Sequence, residues 1–170
     1  MSDRSMEELK ALADDGDVDA LFELAEKYEI GDGVMQNVRL AARKCRQAAE
    51  SGHAGAQVLM GKLCLIGKGV EVDAEEAAHW YRLAAQQGHS RAQYYLGQMY
   101  ATGRGVPLDH VESAVWMLKA AHQNVVDAQL RVAKMYQDGE GMPVDEAKAH
   151  EWYARAAESA LCESKSTADE

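Results

Sequence analysis

The sequence has little of what sheets, disulfide frameworks and membrane spans are built from. One phenylalanine, two isoleucines and two threonines among 170 residues leave the usual strand formers scarce. Three cysteines at no paired spacing do not make a disulfide framework. No apolar run approaches the roughly 20 residues that span a bilayer. These absences exclude a sheet-based, disulfide-stapled or membrane-spanning fold.

Basic residues are also in the minority, 18 against 28 acidic, and the resulting charge of −10 argues against a nucleic-acid partner. The opening segment, Met1 to Glu8, is charged and lacks the apolar stretch of a secretory signal, so we expect a cytoplasmic protein. What the chain does have is 47% hydrophobic residues, including 29 alanines, which is enough apolar material for a helical core.

A 36-residue period runs through the chain. Trp80, Trp116 and Trp152 are separated by 36 residues each. The same step relates the glycine pairs Gly31/Gly33, Gly67/Gly69, Gly103/Gly105 and Gly139/Gly141, and the alanines Ala20, Ala56, Ala92 and Ala128. Such regular self-similarity is the signature of a stacked repeat architecture.

Each period predicts two helices. Small or apolar residues recur at helical spacing before each glycine pair, where glycine supplies the left-handed geometry that ends a helix. Good N-cap residues then open the second helix, namely Asn37, Asp73, Asp109 and Asp145. We therefore predict an all-α array of nine helices in one domain, residues 1–160, followed by a flexible acidic tail, 161–170. The domain comprises a capping half-repeat helix, 5–16, and repeats at 20–55, 56–91, 92–127 and 128–160.

Half of the net charge lies in residues 1–19, which hold seven acidic and two basic side chains. Repeat arrays need polar ends to stop further stacking. The acidic N-terminal helix therefore predicts a monomer rather than end-to-end growth.

The repeats resemble Sel1-like repeats, relatives of the tetratricopeptide repeat. The resemblance is carried by the segment from Ala92 to Tyr100, the Gly103-Arg104-Gly105-Val106 loop, Asp109, and the Trp80-Tyr81-Arg82-Leu83-Ala84-Ala85 block. It implies a right-handed α/α superhelix of four repeats and a role as an adaptor or scaffold for other proteins. Many bacterial relatives take part in signalling, envelope biology or host interaction. Repeat one departs from the pattern, with Lys44-Cys45 in place of Trp-Tyr, so its joint with repeat two is expected to be the softest.

Each residue or motif that could bind a ligand or catalyse a reaction is better explained by a structural role. The glycine loops lack the preceding strand of a phosphate-binding loop. Glu75 and His79 lie four residues apart on one helix, which could suggest a metal or acid–base pair but is more typical of a solvated helix face. Cys45 and Cys64 replace tyrosines and are expected to be buried thiols. We predict no enzyme activity, no catalytic residue, no metal and no cofactor.

In arrays of the kind the resemblance implies, the first helix of each repeat lines a concave groove. The positions of that helix not used for packing form a row that runs from acidic through aromatic to basic. Its members are Phe22, Glu23, Glu26, Leu59, Lys62, Tyr94, Tyr95, Gln98, Arg131 and Lys134. Such a graded surface could fix the direction of a bound peptide or helix.

The sequence thus predicts a cytoplasmic, non-enzymatic adaptor that binds a protein or peptide. A self-assembling structural protein, a secreted or host-directed effector, and a metal-binding or hydrolytic protein are the alternatives. No residue pattern identifies the partner, the pathway or the source organism.

Overall fold

A computed structural model describes residues 5–166 and contains nine helices in that range, with no strand. The first five helices are α1 (Met6–Asp14), α2 (Val18–Ile30), α3 (Val38–Glu50), α4 (Ala54–Ile66) and α5 (Ala74–Gln86). The other four are α6 (Ser90–Thr102), α7 (His110–His122), α8 (Val126–Asp138) and α9 (Glu146–Ser166).

The helices form two compact units. Unit 1 spans Met1–His89 and contains α1 to α5, and unit 2 spans Ser90–Glu170 and contains α6 to α9. Inside each unit, every helix packs against its immediate neighbours in the chain. The core of each unit lies between these neighbours, where alanines permit close approach of the helices.

Capping residues fix where the helices begin and end. The side chains of Asn37, Asp73 and Asp109 accept hydrogen bonds from N–H groups of the first turns of α3, α5 and α7. Asp145 accepts one from the backbone N–H of Lys148 at 3.0 Å. The predicted N-caps are therefore confirmed. Asn124, the only non-glycine residue with positive φ in the described range, adopts φ of 61°, as expected where other repeats have glycine.

The last helix extends further than the predicted repeat. The expected tail begins at residue 161, whereas α9 stays helical through Ser166. Residues 146–166 contain neither glycine nor proline, so no residue there terminates the helix. Residues 167–170 lie outside the described part of the chain, and the flexible tail stays a prediction for them.

Cys45 and Cys64 are fully buried, as the sequence predicts. Burial raises the pKa of each thiol to about 12, so both are protonated and unreactive at neutral pH. Trp80 and Trp152 are also core residues, whereas Trp116 is only partly buried and carries the Lys119 ammonium 4.1 Å from its ring centroid.

In repeat two, the glycine inside α4, Gly61, is explained by the aromatic ring that packs against it. A methyl group added at Gly61 would lie 2.7 Å from the ring of Tyr81, whose side chain is 1% exposed. At Gly97, one repeat later, the nearest atoms belong to the flexible side chain of Met117 at 3.0 Å. The first helix of these repeats therefore has glycine at the position that faces a large side chain of the second helix.

In two of the loops, the second glycine is required by a close contact with backbone atoms. A Cβ at Gly69 would lie 2.1 Å from the carbonyl oxygen of Val38, and one at Gly141 would lie 1.9 Å from that of His110. Both glycines also have positive φ, at 78° and 76°. The loop of one repeat therefore presses on the start of the preceding second helix, and only glycine fits there.

Buried glutamines connect the helices across their ends. Gln57 donates to the carbonyl oxygen of Ala49 at 3.1 Å and accepts from Gln87 at 2.8 Å. Gln123 donates to Gln93 in the same way at 2.7 Å. Each of these pairs satisfies a side-chain amide that would otherwise be costly to bury.

The last repeat lacks this donor. Gln129 is 1% exposed and its amide nitrogen reaches the carbonyl oxygen of Ala121 at 3.3 Å, but its Oε1 has no hydrogen-bond partner among the described residues. Ser159 stands where Gln87 and Gln123 stand in the earlier repeats. The glutamine series therefore ends with an unsatisfied acceptor.

Candidate functional site

The predicted binding residues lie on the first helix of each repeat, which gives two such helices in each unit. We name Phe22, Glu23, Glu26, Leu59 and Lys62, on α2 and α4, the unit 1 face. We name Tyr94, Tyr95, Gln98, Arg131 and Lys134, on α6 and α8, the unit 2 face. Four members, Glu26, Lys62, Gln98 and Lys134, are exposed, and the other six are half-buried. The neighbouring positions Ala20, Leu24 and their equivalents supply the core.

The acidic end of the unit 1 face is crowded with carboxylates. Partial burial raises the pKa of Glu26, and the charges of Glu29 and Glu23 raise it further. Glu29 is compensated by Lys68, whose Nζ lies 3.0 Å from Oε1. A depression of about 360 Å³ opens beside these groups and is lined by Glu23, Glu26, Lys27, Glu29, Ile30 and Asp32. A basic side chain would relieve the repulsion there.

Phe22 is engaged by a contact that the sequence did not reveal. Its ring lies 4.5 Å, centroid to centroid, from the ring of His53. His53 is the N-cap of α4, since its Nδ1 accepts from the backbone N–H of Ala56 at 3.0 Å. That bond places a proton on Nε2, which lies 3.4 Å from a carboxylate oxygen of Asp19. The sequence signal for this cap was a histidine directly before the start of α4.

The aromatic part of the unit 2 face is a pair of tyrosines. The rings of Tyr94 and Tyr95 lie 5.7 Å apart, and Gln98 donates to the hydroxyl oxygen of Tyr94 at 2.7 Å. Burial raises the pKa of Tyr94, and the nearby charge of Asp127 adds to the shift. The hydroxyl therefore stays protonated at physiological pH, and the face offers two aromatic rings with polar tips.

At the basic end of the unit 2 face, Arg131 is held in an ion pair and Lys134 is exposed. Arg131 donates to Oε1 of Glu140 at 2.7 Å, and Nδ1 of His110 lies 2.9 Å from the same oxygen. Lys134 is exposed and has no ion pair within the described range. We therefore expect Lys134 to be more available to an acidic ligand than Arg131.

The middle residue of three glycine loops pairs with a first helix, which sequence reasoning missed. The pairs are Lys27–Asp32 at 3.1 Å, Glu29–Lys68 at 3.0 Å and Arg131–Glu140 at 2.7 Å. The loop residue has the sign opposite to its partner in each case. The charge of the middle residue therefore differs between loops because each middle residue pairs with a different neighbour.

The alternative chemical site has little support in the geometry. Glu75 and His79 are exposed on α5, and the His79 ring lies 5.4 Å from that of Trp80. In residues 5–166 no group of three or more His, Cys, Asp or Glu side chains is arranged to hold a metal ion. Across the same residues, every helix is too short or too polar to cross a membrane.

Comparison with known proteins identifies the repeat. The Sel1 repeat family model matches residues 18–53, 54–89, 90–125 and 126–161, each match starting two residues before the repeat predicted from the sequence. No curated protein matches the chain.

Two of the similar solved structures are more than 30% identical to this chain in sequence. One is a protective antigen of uropathogenic Escherichia coli strains that displays an SLR fold, with 36% identity, a TM-score of 0.89 and coverage of 92% of this chain and 33% of that one. Another is a Sel1 repeat protein from Oxalobacter formigenes, with 34% identity, a TM-score of 0.86 and coverage of 90% and 63%. The chain thus spans a third of the first relative's length and less than two thirds of the second's.

These matches confirm the predicted fold class, an all-α solenoid of helical repeats. Proteins with this repeat are commonly scaffolds for protein interactions, and the fold is generally non-enzymatic. With four matched repeats over most of its length, the chain belongs to the Sel1 repeat family.

Proposed function

We propose that this protein is a cytoplasmic, non-enzymatic adaptor that binds a peptide or protein segment through its first-helix faces. One observation carries the proposal. The buried positions of α2, α4, α6 and α8 hold mostly small or apolar residues in every repeat, whereas the outward positions change in charge and size. Variation confined to the outward positions is expected of a surface that recognises a ligand.

The two faces favour ligand groups of opposite charge. The unit 1 face presents the half-buried Glu23 and the exposed Glu26, whose pKa is raised first by partial burial and then by the charges of Glu29 and Glu23. The unit 2 face presents Tyr94, Tyr95 and Lys134. Aromatic residues next to a cation are typical of interface hot spots, since they combine large contact area with few rotatable bonds. We therefore propose that basic ligand residues bind unit 1, and that apolar and acidic ones bind unit 2.

The cytoplasmic part of the proposal is supported by the cysteines. Cys45, Cys64 and Cys162 are all free, and the first two are buried thiols. The net charge of −10 favours a protein partner over a nucleic acid, because negative charge repels the phosphate backbone.

The test is affinity capture from source-cell lysate, read by mass spectrometry. The bait variant Tyr95→Ala, Lys134→Glu should lose a protein that the wild type retains. A matched control makes the same chemical changes on α9, as Tyr153→Ala, Lys148→Glu, where both side chains are exposed. Loss of the partner with both variants, or with neither, would refute the assignment to the unit 2 face, provided circular dichroism shows that both remain folded.

Association kinetics test the charge separately. Lys134→Glu should slow association with an acidic ligand by about tenfold at low salt, because exposed charges act mainly on the association rate. The effect should fade as salt screens the interaction. An association rate unchanged at low salt would remove Lys134 from the binding surface.

A further inference from the structure

Helix α7 exposes an apolar stripe on its outer surface. Val111 is 62% exposed and Val115 is 40% exposed. Leu118 is partly buried, and His122 is exposed at the end of the helix. These four residues, which we call the α7 stripe, are spaced by 4, 3 and 4 positions, the pattern of a coiled-coil seam. The stripe is separate from the unit 2 face, which lies on α6 and α8.

The repeat itself does not require this stripe. One and two repeats earlier, the positions equivalent to its first three members hold polar or charged side chains. They are Arg39, Arg43 and Arg46 on α3, and Glu75, His79 and Arg82 on α5. In α9 the same positions hold Ala147, Glu151 and Ala154, so large apolar residues at these positions are specific to α7. Exposed apolar patches of this kind mark interaction sites.

A depression of about 260 Å³ adjoins the stripe within unit 2. Its far wall is formed by Met142, Pro143 and Val144, and the Val144 side chain is 61% exposed. The loop before α9 thus widens the apolar surface on one side of α7. On that side, Ala114 and Ala121 of α7 are already buried in the unit.

The opposite flank of the stripe carries two charges of opposite sign. Glu112 and Lys119 are both exposed and are separated by seven residues, so they lie on the same edge of α7. Glu112 is in the first turn and Lys119 in the last. An antiparallel copy of the helix would bring each next to the other, whereas a parallel copy would set Lys119 beside Ala114 and leave both charges unpaired.

We propose that the α7 stripe binds a second copy of this chain, with the two α7 helices antiparallel about a two-fold axis. Placing Val115 opposite Leu118 of the other copy also puts Val111 opposite His122. The same register sets Glu112 opposite Lys119, twice by symmetry. A self-complementary patch of this kind is the requirement for a closed two-fold dimer. The charge pairs select the antiparallel orientation, as flanking charges do in coiled coils.

This contact differs from the stacking that the acidic N-terminus opposes. The predicted monomer follows from a polar end that prevents end-to-end growth, whereas α7 forms a lateral surface. A two-fold lateral contact closes on itself and stops at two copies.

Sedimentation equilibrium across a wide concentration range tests the proposal. The wild type should pass from monomer to dimer with no larger species, and Val115→Glu should be monomeric throughout. Val72→Glu is the matched control, because Val72 is a 65% exposed valine outside α7. A wild type that stays monomeric, or a Val115→Glu variant that still dimerises, would overturn the proposal.

Charge reversal tests the orientation and does not touch the apolar seam. Glu112→Lys and Lys119→Glu should each raise the dissociation constant of the dimer about tenfold, because each creates two like-charge contacts. The double variant Glu112→Lys, Lys119→Glu should restore it, since opposite charges face each other again. If the double variant is as weak as the singles, the antiparallel register is wrong. The charge-reversal variants test the antiparallel dimer even if Val115→Glu fails to fold.

Discussion

The packing of Gly61 against Tyr81 makes a specific prediction about stability. Replacing a glycine inside a helix by alanine is ordinarily stabilising by about 1 kcal/mol, because alanine loses less backbone freedom on folding. At Gly61 the added methyl group would meet the Tyr81 ring at 2.7 Å. The ring is 1% exposed and has no room to withdraw. We therefore expect Gly61→Ala to destabilise the protein.

The size of the effect follows from two opposing contributions. Overpacking a buried site costs about 1 to 3 kcal/mol, from which the gain in helix propensity of about 1 kcal/mol is subtracted. The expected net loss is about 0 to 2 kcal/mol, or a fall in Tm of up to a few degrees for a chain of this size. Gly97→Ala is the matched control, because the Met117 side chain that it meets is flexible. That variant should be neutral or slightly stabilising.

A double-mutant cycle measured by chemical denaturation isolates the contact. Tyr81→Cys alone should be destabilising, since it leaves a cavity in the core. Combined with Gly61→Ala it reproduces the Ala25 and Cys45 pair of repeat one, and the two changes should be less costly together than their sum by at least about 0.5 kcal/mol. If Gly61→Ala stabilises the protein as an ordinary helical glycine replacement does, the steric explanation is wrong.

Three further outcomes follow from other contacts. Gly141→Ala should destabilise by at least about 2 kcal/mol in thermal denaturation, because alanine is strained at positive φ and its methyl group would strike a carbonyl oxygen. Ser159→Gln should stabilise by about 1 kcal/mol by donating to Oε1 of Gln129, whereas Ser159→Glu, which has the same length but no amide donor, should not. The Arg46 guanidinium lowers the pKa of Glu76 below its ordinary 4.5, so the stability from this pair is complete above pH 4.5 and is lost as the pH falls through the lowered value. Acid titration of unfolding should therefore be shallower in Glu76→Gln than in the wild type.

The helices and their limits could be predicted because local sequence determines them. Glycine pairs end α2, α4 and α8 with left-handed geometry, and side-chain caps start α3, α5 and α7. The end of α9 could not be placed in this way. The fading of the apolar period after Leu161 suggested a tail, but without a terminating residue the backbone hydrogen bonds continue to Ser166.

The candidate site was only partly predictable. Helical spacing alone showed which side of α6 and α8 points away from the core, so Tyr95 and Lys134 could be selected. Spacing gave no hint that Arg131 is held by Glu140, because that contact depends on where the loop meets the helix. The α7 stripe was missed for another reason. Valine and leucine at helical spacing are equally typical of a buried face, and only the exposed fractions of Val111 and Val115 show that they face outward.

The match in size between the two helices of a repeat constrains how such a chain can be recombined. Gly61 and Tyr81 lie in the same repeat, as do Gly97 and Met117. Whole repeats can therefore be duplicated or deleted at their boundaries without separating matched partners. A crossover in the glycine loop would join the first helix of repeat one, with Ala25, to the second helix of repeat two, and set a methyl group against the Tyr81 ring. Gene rearrangements that break within a repeat should therefore be selected against, and surviving length variants should differ by whole repeats.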